Sequence, residues 1–120
     1  MVAHSTLVTV TTYFNVHSGE LDAFKARCQE FVDTTSTESG CVFIEFAFEG
    51  ARGMTIEGYK DAAGVLDHLR NVRELMEKNA ELIDVQRVEL HGLDGELDKL
   101  REPLAAYSPR YYSVEYRFGR

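Results

Sequence analysis

His68 is the side chain in this sequence best suited to moving a proton near neutral pH. An imidazole has a pKa near neutrality without large perturbation, so it can act as a general base on a weak acid such as a phenol. The alternative is that His68 is a surface or packing histidine. The neighbouring Asp67 lies one step round the predicted helix and points elsewhere. We therefore take His68 as the candidate catalytic residue.

A row of polar side chains lies close to His68 in the sequence. Glu57 and Tyr59 are two residues apart in a predicted strand, so their side chains share a face, and Thr55 joins them. A carboxylate, a phenol and a hydroxyl in one row can orient a polar ring-shaped substrate. The alternative is that Glu57 is hydrogen-bonded to backbone or paired with an arginine. We take Glu57 and Tyr59 as candidate substrate-binding residues.

Strands and helices must position these side chains. Alternation predicts a strand over Thr6 to Val16, and apolar spacings of three and four predict a helix that runs to about Thr35. A strand apolar on both faces, Cys41–Phe48, then leads through a short hairpin into Met54–Lys60. The later elements are a helix over Ala62–Leu82 capped by Asp61 with a bend near Asn71, a strand over Val85–His91, a helix over Leu93–Ala106 weakened by Pro103, and a strand over 111–118.

The order βαββαβ with an αβ extension predicts an α+β fold of the ferredoxin-like type, an antiparallel sheet with helices on one face. We expect one domain over residues 1–120, with a core of about 5–91 and an extension over 92–120. Helices on one face leave the other face bare, although the second strand is apolar on both. Exposed apolar patches usually mark an interface, so the sequence predicts a homodimer.

Composition narrows the function classes. The 120 residues carry a formal net charge of -7, which repels phosphate backbones and anionic lipids, so we expect no nucleic acid and no membrane partner. No apolar run approaches membrane-spanning length and no signal segment opens the chain, so we expect a cytoplasmic protein. Cys28 and Cys41 are expected to be packing residues, and His4 and His17 to be solvated. The chain lacks metal-ligand spacings and nucleotide-binding motifs, so we expect no metal and no cofactor.

One set of short motifs points to a known family. The acid-x-Gly-Cys segment Glu38–Cys41 precedes an apolar strand and a hairpin. The segment Glu57–Asp61 then reads Glu-x-aromatic-x-Asp, and the following helix bears His68. This order resembles the core pattern of the antibiotic biosynthesis monooxygenase family, and the likeness extends over about Val8 to His91.

The resemblance implies a dimeric α+β barrel, in which the sheets of two ferredoxin-like units face each other. Several members of that family oxidise phenolic or quinol-like substrates with molecular oxygen and without metal or flavin, and others degrade haem or isomerise small sugars. Tyr59 stands where the family often has tryptophan. Thr12 stands where the haem-degrading branch has asparagine, which disfavours haem degradation.

The leading interpretation is a cofactor-independent monooxygenase that binds a small aromatic or quinol-type molecule and O₂ between the sheet and its helices. His68 would be the base, while Tyr59, Glu57 and Thr12 would hydrogen-bond the substrate. Two alternatives stay open: a dimeric module that binds a small molecule without turning it over, and an isomerase acting on a small carbonyl compound. Oxygen uptake separates the first interpretation from the other two.

Overall fold

The computed structural model describes residues 6–120, so His4 and the expected core boundary at residue 5 lie outside the described residues. The first half of the chain forms β1 (Val8–Val16), α1 (Leu21–Thr35), β2 (Cys41–Glu49) and β3 (Arg52–Tyr59). The second half forms α2 (Ala62–Asn71), α3 (Arg73–Asn79), β4 (Ile83–Gly92), α4 (Asp94–Arg101), a 3₁₀ turn (Ala105–Tyr107) and β5 (Arg110–Ser113).

The strands form one sheet in the order β2-β3-β1-β4-β5. The four strands of the core pair antiparallel, with β1 between β3 and β4 and β2 at the edge beside β3. This is the strand order of a split βαβ fold, because each helix connection passes over one intervening strand. The predicted α+β, ferredoxin-like architecture is confirmed.

The extension adds a strand to the edge of the sheet, and this strand is shorter than predicted. β5 pairs parallel to β4, because α4 carries the chain back along β4 before β5 begins. The predicted strand over 111–118 was too long. The Val114 amide donates to the Gly92 carbonyl at 2.8 Å, and Gly92 is the last residue of β4, so the chain beyond it has no strand to pair with. Alternation there predicted a strand, but Tyr116 and Phe118 are 94% and 81% exposed.

The helices cover one face of the sheet. One core cluster joins the sheet to α2 and α4, and its buried members are Val8, Tyr59, Ala62, Val65, Leu90, Leu97, Leu100 and Leu104. A second cluster joins β1 to α1, and its buried members are Phe14, Val16, Phe24 and Cys28. Burying one such large apolar side chain contributes about 1.5–3 kcal/mol. Phe46 and Phe48 of β2 pack on Phe24 of α1, whereas Phe43 on the other face of β2 is 39% exposed. The face away from the helices is therefore open in the single chain.

Two local features fix the start of α2. Asp61 Oδ1 accepts a hydrogen bond from the Gly64 amide at 2.9 Å, which confirms the predicted cap. Gly64 also lies against the loop before β2: a Cβ on Gly64 would stand 2.8 Å from the Gly40 carbonyl oxygen. Glycine at both positions lets the helix backbone approach the loop that carries Glu38. The first turn of α2 is thereby held directly above the end of β3.

The long predicted helix over Ala62–Leu82 is divided at Val72, next to the expected bend at Asn71, and its second part ends at Asn79. The extension supports its start, because Glu96 on α4 accepts a hydrogen bond from the Ala62 amide at 2.9 Å. That hydrogen bond, together with the Lys99 ammonium, lowers the pKa of Glu96. Within residues 6–120, no helix has the length and apolar composition needed to cross a bilayer.

Candidate functional site

His68 is buried between two carboxylates. Its side chain is on α2 with a residue exposure of 5%. The two Glu38 oxygens lie 3.1 and 3.0 Å from Nδ1, and Glu57 Oε1 lies 3.5 Å from Nε2. The Glu38 and Glu57 side chains are 7% and 12% exposed, so both carboxylates are largely removed from water. An imidazole with a carboxylate at each nitrogen can take up, hold or release a proton with little movement.

The predicted row on β3 is present, and it converges on Glu57. The Tyr59 hydroxyl donates to Glu57 Oε1 at 2.5 Å, and the Thr55 hydroxyl donates to Oε2 at 3.0 Å. All three side chains lie on the face of the sheet that the helices cover. The contacts of Glu57 in the described chain are therefore with a phenol, a hydroxyl and His68. Pairing with backbone or arginine, the alternative left open by the sequence, is not found within residues 6–120.

Tyr59 lies behind Glu57 with respect to solvent. Its side chain is fully buried, and its ring centroid is 5.2 Å from that of His68. Burial, the negative charge of Glu57 and the hydrogen bond to Glu57 together raise the pKa of Tyr59 far above its ordinary value. The phenol therefore stays protonated at all physiological pH values and is a permanent hydrogen-bond donor. Its hydroxyl group already donates to Glu57.

Thr12 lies beside this row. It is directly opposite Thr55 in the antiparallel pairing of β1 with β3, and opposite residues project to the same face. Its side chain is half-buried, and its hydroxyl makes no hydrogen bond to any residue within 6–120. The sheet thus brings Thr12 close to the Glu57 cluster with its hydroxyl available for a ligand.

Sequence reasoning missed two members of the network. Glu38 entered only as part of the acid-x-Gly-Cys motif, and Asn71 was singled out only as a possible bend. The Asn71 side-chain amide donates to Glu38 Oε2 at 2.8 Å and to the Thr34 carbonyl at 3.2 Å. The spacing of three between His68 and Asn71 places both on one side of α2, and this signal alone could have linked them.

The two thiols are inert, and the other histidines within residues 6–120 lie elsewhere. Burial raises the pKa of both Cys28 and Cys41 to about 11, and the charges of Glu38 and Glu57 add to the effect at Cys41, so neither thiol is a nucleophile near neutral pH. His17 pairs with Asp84 at the surface, while His91 bonds Thr9 on the open face of the sheet. Within residues 6–120, no group of three or more His, Cys, Asp or Glu side chains is arranged to hold a metal ion.

Several polar atoms under the helices have no partner within the described residues. They are Arg27 Nη1 and Thr35 Oγ1 on α1, and both amide atoms of Asn79 on α3, whose residue exposure is 3%. Burying such groups without a hydrogen bond costs stability, and a polar molecule bound between the helices and the sheet would supply partners. A surface cleft of about 620 Å³ has Thr34 and Asn71 in its lining. The cleft therefore reaches the residue that holds Glu38.

The comparisons with known proteins agree with this architecture. MupZ from Pseudomonas fluorescens is 41% identical with a TM-score of 0.93, and the match covers 96% of this chain and 95% of MupZ. Rv0793 from Mycobacterium tuberculosis is 19% identical with a TM-score of 0.65, over 71% of this chain and 92% of that one. A variant of SnoaB, a cofactor-independent oxygenase from Streptomyces nogalater, is 16% identical with a TM-score of 0.62, over 70% and 89%. These last two show the fold alone.

No curated protein matches the chain with significance. The sequence model of the antibiotic biosynthesis monooxygenase family, however, matches residues 7–76, more than half of the chain. The matched range runs from β1 into α3 and includes Thr12, Glu38, Glu57, Tyr59 and His68. With the strand order and the motifs already described, this match shows that the chain belongs to the antibiotic biosynthesis monooxygenase family.

Proposed function

We propose that this protein is a cofactor-independent monooxygenase that oxidises a small aromatic or quinol-type compound with O₂. The observation that carries the proposal is the buried imidazole of His68 between the carboxylates of Glu38 and Glu57. His68 takes a proton from an acidic C–H or O–H group of the substrate, and the resulting anion is electron-rich enough to reduce O₂ itself. Family membership and the resemblance of the fold to the oxygenase SnoaB support this proposal.

The overall reaction balances without a further reductant. For a methylene carbon between aromatic rings it is R₂CH₂ + O₂ → R₂C=O + H₂O. The carbon loses four electrons and O₂ gains four, so one oxygen atom enters the product and the other leaves as water. The base removes the first proton and returns protons to the departing oxygen. The burial of His68 and Glu57 limits the access of water, so that the substrate anion persists until O₂ reacts.

The residues of the sheet have separate tasks in this proposal. Glu57 lies 3.5 Å from Nε2 of His68 and accepts a hydrogen bond from a substrate hydroxyl in place of Thr55. Tyr59 donates to Glu57 and so holds that carboxylate in place. Thr12 supplies a hydroxyl that makes no hydrogen bond to another residue of the described range 6–120. The chain holds the substrate against this face of the sheet and under α2 and α3.

One observation favours a second function, proton transfer without oxygen. An isomerisation of a small carbonyl compound needs an acid and a base at one site, because a proton leaves one carbon and another is delivered nearby. The network supplies both at His68, which takes up the proton as the base and, once protonated between Glu38 and Glu57, returns it as the acid. This function uses the same residues and differs from the first only in its need for O₂.

Oxygen uptake distinguishes the monooxygenase from the isomerase. Metal-free protein is prepared anaerobically, mixed with a panel of quinols, anthrones and naphthols, and then aerated in an oxygen electrode cell. We expect uptake of one O₂ per oxidised product, absent from heat-denatured protein. Conversion of a carbonyl substrate without uptake would replace the monooxygenase with the isomerase. Binding without conversion of any compound would leave a module that only sequesters its ligand.

We further propose that the protein works as a homodimer through the open face of the sheet. That face carries an apolar group on β2 and β3, with Phe43, Met54 and Ile56, beside a polar group on β1 and β4. In the polar group Glu89 is only 9% exposed and bonds Arg87 at 2.8 Å. Light scattering should give twice the chain mass of 13.6 kDa, and a mass of one chain would refute the dimer.

A further inference from the structure

We infer that Glu38 and Asn71 are positioning residues that keep the proton of neutral His68 on Nδ1, so that Nε2 is the nitrogen that exchanges a proton with the substrate. The use of Nε2 in turnover rests on the proposed function. The placement of the ring proton does not, because it follows from hydrogen bonds within the protein.

The tautomer follows from the chemistry of the partners. Both oxygens of Glu38 lie within 3.1 Å of Nδ1, and an ionised carboxylate only accepts hydrogen bonds. Nδ1 must therefore carry the hydrogen. Neutral imidazole has a single N–H, so Nε2 then has a free lone pair. Glu57 Oε1 is 3.5 Å from Nε2, which is beyond a good hydrogen bond and leaves Nε2 open to a proton from elsewhere.

Asn71 holds the Glu38 carboxylate, which in turn orients the His68 ring. Its amide nitrogen is close to a carboxylate oxygen of Glu38 and to the Thr34 carbonyl, at 2.8 and 3.2 Å. Both partners only accept, so the group that faces them is the NH₂ and the orientation of the amide is determined. Asn71 thus ties Glu38 to the end of α1, while His68 is held one turn earlier on the same helix. These hydrogen bonds link two helices and the loop between α1 and β2, in the order Thr34, Asn71, Glu38 and His68.

Removal of Glu38 should reverse the tautomer. The remaining carboxylate near the ring is Glu57, and it lies on the Nε2 side. Without Glu38, the neutral ring is most stable with its hydrogen on Nε2, where it can form a hydrogen bond to Glu57. Nε2 then has no lone pair and cannot act as a base. A residue that only stabilises the fold would not change which nitrogen carries the hydrogen.

The test is a long-range ¹H–¹⁵N correlation spectrum of the four histidines, followed through a titration to the unprotonated rings. The His68 signals are assigned by their absence from a His68→Asn spectrum. In the wild type we expect the proton on Nδ1, and in Glu38→Leu we expect it on Nε2. Turnover by Glu38→Leu should fall about 10- to 100-fold, as is usual when a partner that orients a functional histidine is removed. Asn71→Leu should give a mixture of tautomers and a smaller loss.

Glu30→Gln is the matched control, because Glu30 is an exposed carboxylate on α1, away from the open face of the sheet, and should change neither spectrum nor turnover. If Glu38→Leu does not fold, Glu38→Met keeps the length of the side chain and removes both oxygens, and a shift of its tautomer toward Nε2 supports the inference. A wild-type ring with its proton on Nε2 overturns it, as does a folded Glu38 variant that keeps the wild-type tautomer. If the monooxygenase proposal fails, no oxygen uptake is seen. The tautomer measurement needs no turnover, so it tests the inference separately.

Discussion

Replacing His68 with Asn is expected to lower turnover about 10²- to 10⁴-fold, which is the usual contribution of one general acid–base group. The Asn amide can still donate to Glu38, so the buried carboxylate keeps a partner. It has no nitrogen that takes up a proton, so proton exchange with the substrate is lost. The measurement is initial oxygen uptake, or product formation if the reaction needs no oxygen, together with a thermal melt of each variant.

The choice of Asn over Ala follows from the burial of His68. Ala would remove a ring that is 5% exposed and leave Glu38 and Glu57 without the group between them, so loss of stability would be mixed with loss of function. His17→Asn is the control, because His17 bonds Asp84 at the surface, away from this network. A His68→Asn protein that folds and retains wild-type turnover would remove His68 from the mechanism.

Gly64→Ala is expected to lower the free energy of unfolding by about 1–3 kcal/mol, the range for overpacking a close contact. The new Cβ would lie 2.8 Å from the Gly40 oxygen and 3.3 Å from the Gly40 carbonyl carbon. Both are backbone atoms, so relief requires α2 to move away from the loop before β2. Because Glu38 and His68 sit on these two segments, the movement should also separate them and reduce turnover.

Gly95→Ala is the matched control for this prediction. Gly95 is also in the first turns of a helix, α4, but a Cβ there would meet no atom within 4 Å. Ala is favoured over Gly inside helices, so Gly95→Ala should raise the free energy of unfolding by about 0.5–1 kcal/mol. Urea unfolding curves of the wild type, Gly64→Ala and Gly95→Ala give both changes in the free energy of unfolding. An increase in stability for Gly64→Ala would show that the two glycines are not needed for close approach.

The two glycines connect the stability of the fold with the geometry of the site. Gly40 lies two residues after Glu38, and Gly64 lies one helical turn before His68. The Lys60 amide also donates to the Gly40 carbonyl at 2.9 Å, which ties the end of β3 to the same loop. The loop, β3 and α2 therefore meet at one point, and the distance between His68 and its two carboxylates depends on it.

Local periodicity in the sequence determined most of the secondary structure and part of the site. A period of two put Thr55, Glu57 and Tyr59 on one face of β3, and the hydrogen bonds found there agree with it. The same argument gave β1, and the spacing of three and four gave α1 over its observed length. These features depend on residues close in the chain, whose relative directions follow from strand and helix geometry alone.

The tertiary structure decided which side chains meet. Glu38 and His68 are separated by 30 residues, and their contact requires the approach of two backbones at Gly40 and Gly64. The sequence put Glu57 and Tyr59 on one face of β3, and the fold adds that the buried Tyr59 hydroxyl donates to Glu57. The direction and short length of β5 were likewise set by β4, its only strand partner within residues 6–120. Periodicity is a property of neighbours along the chain, while burial, ion pairing and strand partners depend on segments that only folding brings together.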